Sequence, residues 1–83
     1  MTGVVEEVND VRAVFYLRST DGTYAYFRVH RESLPKAGQV ISWPEDIAAH
    51  GGIILNESDG SRPVRALSAI LHLPREVARS LTQ

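Results

Sequence analysis

The chain has no cysteine among its 83 residues, which excludes a disulfide framework and a thiolate metal site and makes a reducing, cytoplasmic setting the expectation. Aromatic residues are few, with one tryptophan, three tyrosines and two phenylalanines, so where they fall matters. No apolar run approaches the roughly 20 residues needed to cross a bilayer. The start, Met1 to Glu7, lacks a basic region followed by a hydrophobic stretch, so a soluble, unprocessed chain with no membrane partner is expected. A chain of this length builds one domain with a single layer of core and no deep catalytic cleft.

Recognisable catalytic chemistry is also missing. His30, His50 and His72 are scattered, with no spacing that sets two on one helix face as zinc ligands. Glu45-Asp46 near His50 reads as a solvated loop. No glycine-rich phosphate loop precedes a helix, and no serine sits in a nucleophile elbow. Neither an enzyme nor a cofactor or metal is expected. The formal net charge is only −1, but it is unevenly spread. Residues 1–11 hold Glu6, Glu7 and Asp10 without a base, and residues 37–61 hold Glu45, Asp46, Glu57 and Asp59 without one. Arg12, Arg18, Arg28, Arg31 and Lys36 gather in the intervening stretch, so an anion site is expected there, joined by Arg62 and Arg65.

That stretch is the strongest structural signal. Ala13 to Arg18 and Tyr24 to Val29 are dense in aromatic and β-branched residues and flank Thr20-Asp21-Gly22, the composition of a β-hairpin. A two-residue Asp-Gly loop would mix apolar and polar-tipped residues on both faces. A three-residue loop with Gly22 in the left-handed position instead pairs Phe15 with Phe27, Leu17 with Ala25 and Tyr16 with Tyr26. One face is then apolar: Ala13, Phe15, Leu17, Ala25, Phe27 and Val29. The other carries Val14, Tyr16, Arg18, Tyr24, Tyr26 and Arg28, with Arg12 and His30 at one end.

Elsewhere the pattern predicts a first strand over Gly3 to Val8 with Val4 and Val8 inward, and a connection from Arg31 to Gly38 broken by Pro35. A strand over Gln39 to Trp43 is stopped by Pro44, and Pro44 to Gly52 suits a short helical turn. Ile53 to Leu55 reads as a buried strand entering a second hairpin at Ser58-Asp59-Gly60. Val64 to Leu71 fits one helix face and one strand side equally well, and the preceding turn favours strand. Pro74 opens a C-terminal helix over about 74–82, with Val77 and Leu81 on one face.

The fold expected is therefore mainly β: a small five-stranded OB-like barrel over about residues 3–71, with a short C-terminal helix, in a single domain spanning 1–83. The runs Gly3-Val4-Val5-Glu6-Glu7-Val8-Asn9, Arg12 to Leu17, Tyr26 to His30 and Gly38 to Trp43 resemble, in order and spacing, a diverged cold-shock domain. The resemblance covers residues 3 to 70. It implies a five-stranded OB-type barrel binding single-stranded DNA or RNA, with Arg12, Val14 and Tyr16 from one aromatic motif and Tyr26 and Arg28 from the other. Glu6 and Glu7 stand where that family places a basic residue and a stacking tryptophan, and Val14 where it places phenylalanine, which removes stacking platforms. The function expected is weak binding of single-stranded nucleic acid through Arg12, Val14, Tyr16, Arg18, Tyr24, Tyr26, Arg28 and His30. The alternative is a protein interaction module or homodimer that uses the same face or the C-terminal helix.

Overall fold

In the computed structural model, which describes residues 1–83, the chain forms β1 (Thr2–Asn9), β2 (Val14–Ser19), β3 (Tyr24–Val29), β4 (Val40–Ser42), β5 (Gly52–Asn56), β6 (Arg62–Leu73) and α1 (Arg75–Thr82). Short 3-10 turns at Arg31–Ser33 and Glu57–Asp59 join β3 to β4 and β5 to β6. The strands close antiparallel into a barrel in the order β1-β2-β3-β6-β5-β4. It is thus two three-strand meanders joined edge to edge.

The class matches the expectation, but the barrel has six strands rather than five. Pro44 removes a ladder donor and ends β4 after three residues. The chain then makes a detour of turns and returns as β5, and each of the six segments whose pattern reads as strand takes its own place in the barrel, one more than the OB-like architecture holds. The detour from Pro44 to Gly51 is not helical, and consists of turns with one isolated bridge between Ala48 and Gly51. Gly51 sits at φ 93°, and any side chain there would collide with the Ala66 carbonyl of β6. The ambiguous 64–71 stretch is strand, in the centre of β6.

The β2–β3 hairpin has the three-residue-loop register: Phe15 opposite Phe27, Tyr16 opposite Tyr26, Leu17 opposite Ala25, with Gly22 at φ 88°. Ala13 is the exception on the apolar face, lying in the turn before β2 at φ 57°. Its place in the turn follows from Asn9, whose side-chain oxygen accepts from the Val11 and Arg12 amides.

In β1 the inward valine is Val5 rather than Val4. A bulge between Val5 and Glu7 leaves Glu6 without a partner on β2 and shifts the alternation. Val5 is therefore buried, Val8 packs against the core from farther along, and Val4 faces out.

Phe27 lies at the centre of the core. Its ring stacks on Phe15 at a centroid distance of 5.5 Å, and it meets Trp43 edge-on, also at 5.5 Å. Val29, Ile41, Ile54, Val64, Ala66 and Ala69 complete the interior. Phe27→Ala should cost about 3 to 5 kcal/mol, measured as a lowered urea midpoint with an unchanged m-value. A loss below about 1 kcal/mol would mean that the ring does not occupy the centre of the barrel.

Candidate functional site

The face expected to bind nucleic acid is not open, because α1 lies across β1, β2 and β3. Pro74 takes the N-cap position, with Arg75 as the first helical residue, and Glu76 suits the positive end of the helix dipole. The residues that α1 buries are Ala78 and Thr82; Val77 is 41% exposed and Leu81 only half-buried. The helix is thus rotated from the expected Val77/Leu81 face. A small residue lets the helix backbone approach a sheet surface already filled by aromatic rings.

Polar contacts fasten both ends of α1. Arg75 Nε lies 3.4 Å from Glu6 Oε1, the carboxylate lifted out by the β1 bulge, and Glu6 also faces Arg18 at 3.8 Å. At the other end Asn9 Nδ2 donates to the Thr82 carbonyl at 2.9 Å. Arg12 Nη1 donates to the carbonyls of Leu81, at 2.8 Å, and Gln83. These side chains satisfy the carbonyls that a helix end leaves unpaired.

The eight sequence-derived site residues therefore divide. Val14 and Tyr16 are fully buried beneath the helix and Tyr26 is 8% exposed, so none of them offers a free stacking face. Tyr24 is half-buried, its ring 6.1 Å from that of Tyr16. Arg12 is engaged in capping α1, and Arg18 is exposed but set against Glu6. Only Arg28 and His30 stand in solvent without a carboxylate partner. Burial, and next the Glu7 carboxylate, push the Tyr16 phenol above its ordinary pKa, and its hydroxyl has no hydrogen-bond partner. The alternation of Tyr and Arg identified a real outer face, but the tyrosines serve as the seat of the helix.

The open apolar surface lies on the opposite wall. Register places Ser42 beside Leu55, Leu55 beside Pro63, and Ile53 beside Arg65. Of the Ile53-Ile54-Leu55 run only Ile54 points into the core, leaving Ile53 46% exposed and Leu55 half-buried. With Ser42, Trp43 and Pro44 these residues line a shallow groove of about 320 Å³. The apolar run suggests three buried residues, whereas the two-residue period of a strand with one wet face buries only the middle one.

Next to the groove a cleft of about 420 Å³ opens at the mouth of the barrel, lined by Met1, Ser19, Asp21, Thr23, Ala25, Trp43, Glu45, Leu71 and His72. Ser19, Ala25 and Trp43 form its buried floor. Ser19 Oγ and Trp43 Nε1 are buried without a hydrogen-bond partner, each at a cost of about 1 to 3 kcal/mol. On the rim, Asp21 Oδ1 accepts from the Thr23 hydroxyl at 2.7 Å and the Thr23 amide at 2.9 Å, which holds its carboxyl below the usual range. Glu57, beyond the groove, is likewise lowered by the hydroxyls of Ser42 and Ser61.

No protein-family model matches the chain, and no curated protein or solved structure matches it. No helix is long and apolar enough to cross a membrane. The chain forms a closed six-strand antiparallel barrel with one sealed face and one open apolar wall.

The seating of α1 is directly testable. Ala78→Asp puts a carboxylate into the fully buried contact and should cost about 2 kcal/mol or more, with gain of dye binding by the uncovered tyrosines. Val77→Asp, one residue away, should change stability by no more than about 0.5 kcal/mol. Equal losses from the two would contradict the rotation of the helix.

Proposed function

We infer that the protein is an interaction module that takes a segment of a protein partner along the β4–β5 wall. The observation that supports this is the Pro44/Ile53/Leu55 groove, where apolar side chains remain open on a sheet face that no element of the chain covers. Scattered exposed apolar residues are ordinary, but apolar side chains gathered in a groove beside a cleft form a patch of the kind that partners use. The rim of this wall carries Glu45, Asp46, Glu57 and Asp59, of which only Asp59 has an ion-pair partner, Arg62 at 3.5 Å, while Glu57 accepts from the Ser42 and Ser61 hydroxyls. A partner segment that joins apolar and basic residues fits that combination.

Selection from a displayed random-peptide library, followed by amide-shift mapping of an enriched peptide, tests the reading. Enriched sequences should combine apolar and basic residues, shift Ile53 and Leu55, and lose at least tenfold in affinity to Ile53→Asp. Peptides that map onto α1 instead, or that bind Ile53→Asp unchanged, would count against it.

A second reading, single-stranded nucleic acid, retains one supporting observation. Arg28, His30 and Arg65 come together where Val29 pairs with Ala66, with Arg31 adjacent, and none has a carboxylate partner. On this reading the contact is with phosphates rather than stacked bases, so affinity falls steeply with salt. An Arg28→Glu/Arg65→Glu double variant should then abolish oligonucleotide binding at low salt. Binding that persists in the double variant, or that is indifferent to salt, would remove this reading.

A further inference from the structure

We propose that the open wall is a self-association surface: two copies meet wall to wall about a twofold axis along β5, the acidic flank of each lying over the basic flank of the other. The proposal rests on the interaction reading above and names its partner, a second copy of this chain.

The wall is ordered by charge from edge to edge. Its centre is apolar: Ile53 and Leu55 point outward from β5, with Pro44 on one side and Pro63, opposite Leu55, on the other. On the β4 side the chain runs from Pro44 into Glu45 and Asp46, both exposed and without an ion-pair partner. On the β6 side Arg65 is the cross-strand neighbour of Ile53, exposed and likewise unpaired. Beyond it Arg28 and His30 flank Val29, which pairs with Ala66. Glu57 and Asp59 at the β5–β6 tip bond within their own copy, to the Ser42 and Ser61 hydroxyls and to Arg62. The order across the strands is therefore acidic, apolar, basic.

That order selects the occupant and its orientation. A partner for this wall must carry apolar side chains beside cations, and the wall itself carries that combination. Turned about an axis along β5, a second wall lays its β6 side over the β4 side of the first, and Arg65 meets Glu45 and Asp46 at two symmetry-related places. Turned about an axis across the strands, it would lay acid on acid and base on base. Charge complementarity thus favours the first arrangement. The net charge of −1 per copy adds little repulsion against it. Ile53, 46% exposed, is the central side chain with the most surface to lose.

Barrel closure leaves no strand edge free on this wall, so the contact is made by side chains rather than by ladder pairing. Three strands about 4.8 Å apart, five residues long at about 3.3 Å each, make a face of roughly 14 by 17 Å. That falls short of the about 800 Å² per partner of a stable complex, so the dimer is weak and exchanges readily.

Sedimentation of the full chain up to about 1 mM, a range chosen for so small an interface, should show a reversible monomer–dimer equilibrium that weakens as salt rises. Ile53→Asp should weaken it at least tenfold. Arg65→Glu alone and Glu45→Lys/Asp46→Lys alone should do the same, since each sets like charges across the contact. Mixing these two charge variants should restore the dimer, because the mixed pair brings opposite charges together at both flanks; recovery also shows that both are folded. A parent that stays monomeric, a dimer indifferent to Ile53→Asp, or charge variants that do not recover on mixing would overturn the proposal. If the parent is monomeric while selected peptides still lose affinity to Ile53→Asp, the groove reading stands and self-association falls. If Ile53→Asp dissolves a parent dimer and no peptide is enriched on the wall, self-association stands and the wall takes a folded copy rather than a segment.

Discussion

Closure of the barrel passes through three residues. β4 pairs with β1 on one side, Thr2 opposite Ser42 and Val4 opposite Val40, and with β5 on the other. Remove that strand and the two meanders remain joined only through β3 and β6, leaving two bare edges. The interior depends on the same closure, because Ile41 and Trp43 at β4 complete the cluster around Phe27. The chain reinforces so short a strand from outside its own ladder. The Met1 carbonyl accepts from the Trp43 amide at 2.9 Å, and Ser58 Oγ accepts from the Val40 amide at 2.8 Å.

With the ring closed, its outer surface is left with unequal walls. The β1–β3 wall carries large aromatic side chains that would otherwise meet water, and α1 covers them at the cost of ordering only eight residues. So short a helix is marginal alone, so its structure depends on the sheet beneath it. The dependence is mutual, since Val14, Tyr16 and Tyr26 would be exposed without it. The β4–β5 wall has no such cover, and there the apolar side chains remain beside a cleft whose polar floor is unpaired.

Much of this was legible in the sequence. The Tyr16–Tyr26 and Phe15–Phe27 pairings follow from placing all the apolar residues of one hairpin on one face, and Pro44 announces the end of its strand. The parity of β1 was hidden, because a bulge at Glu6 leaves no mark in composition and shifts which valine points inward. The strand segments themselves were legible, six of them one by one; the count of five came from the OB-like architecture, which local pattern could not test because the order in which strands pair is not written in composition. The candidate site was the hardest part. A tyrosine strand face looks the same in sequence whether it meets water, a base or a helix. The rotation of α1 that decides among these turns on how closely Ala78 lets two backbones approach.

The order of elements along the chain carries a consequence for biosynthesis. β6 supplies the stave that joins β3 to β5, and α1 follows it, so neither the ring nor its cover can form until the segment from Arg62 onward has left the ribosome. Until then the nascent chain holds a hairpin with a bare aromatic surface and unpaired strand edges, a state open to wrong association. Acidic residues at Glu6, Glu7 and Asp10 lie on the strand and turn that flank that surface, where like charge between neighbouring nascent chains opposes their edge-to-edge pairing.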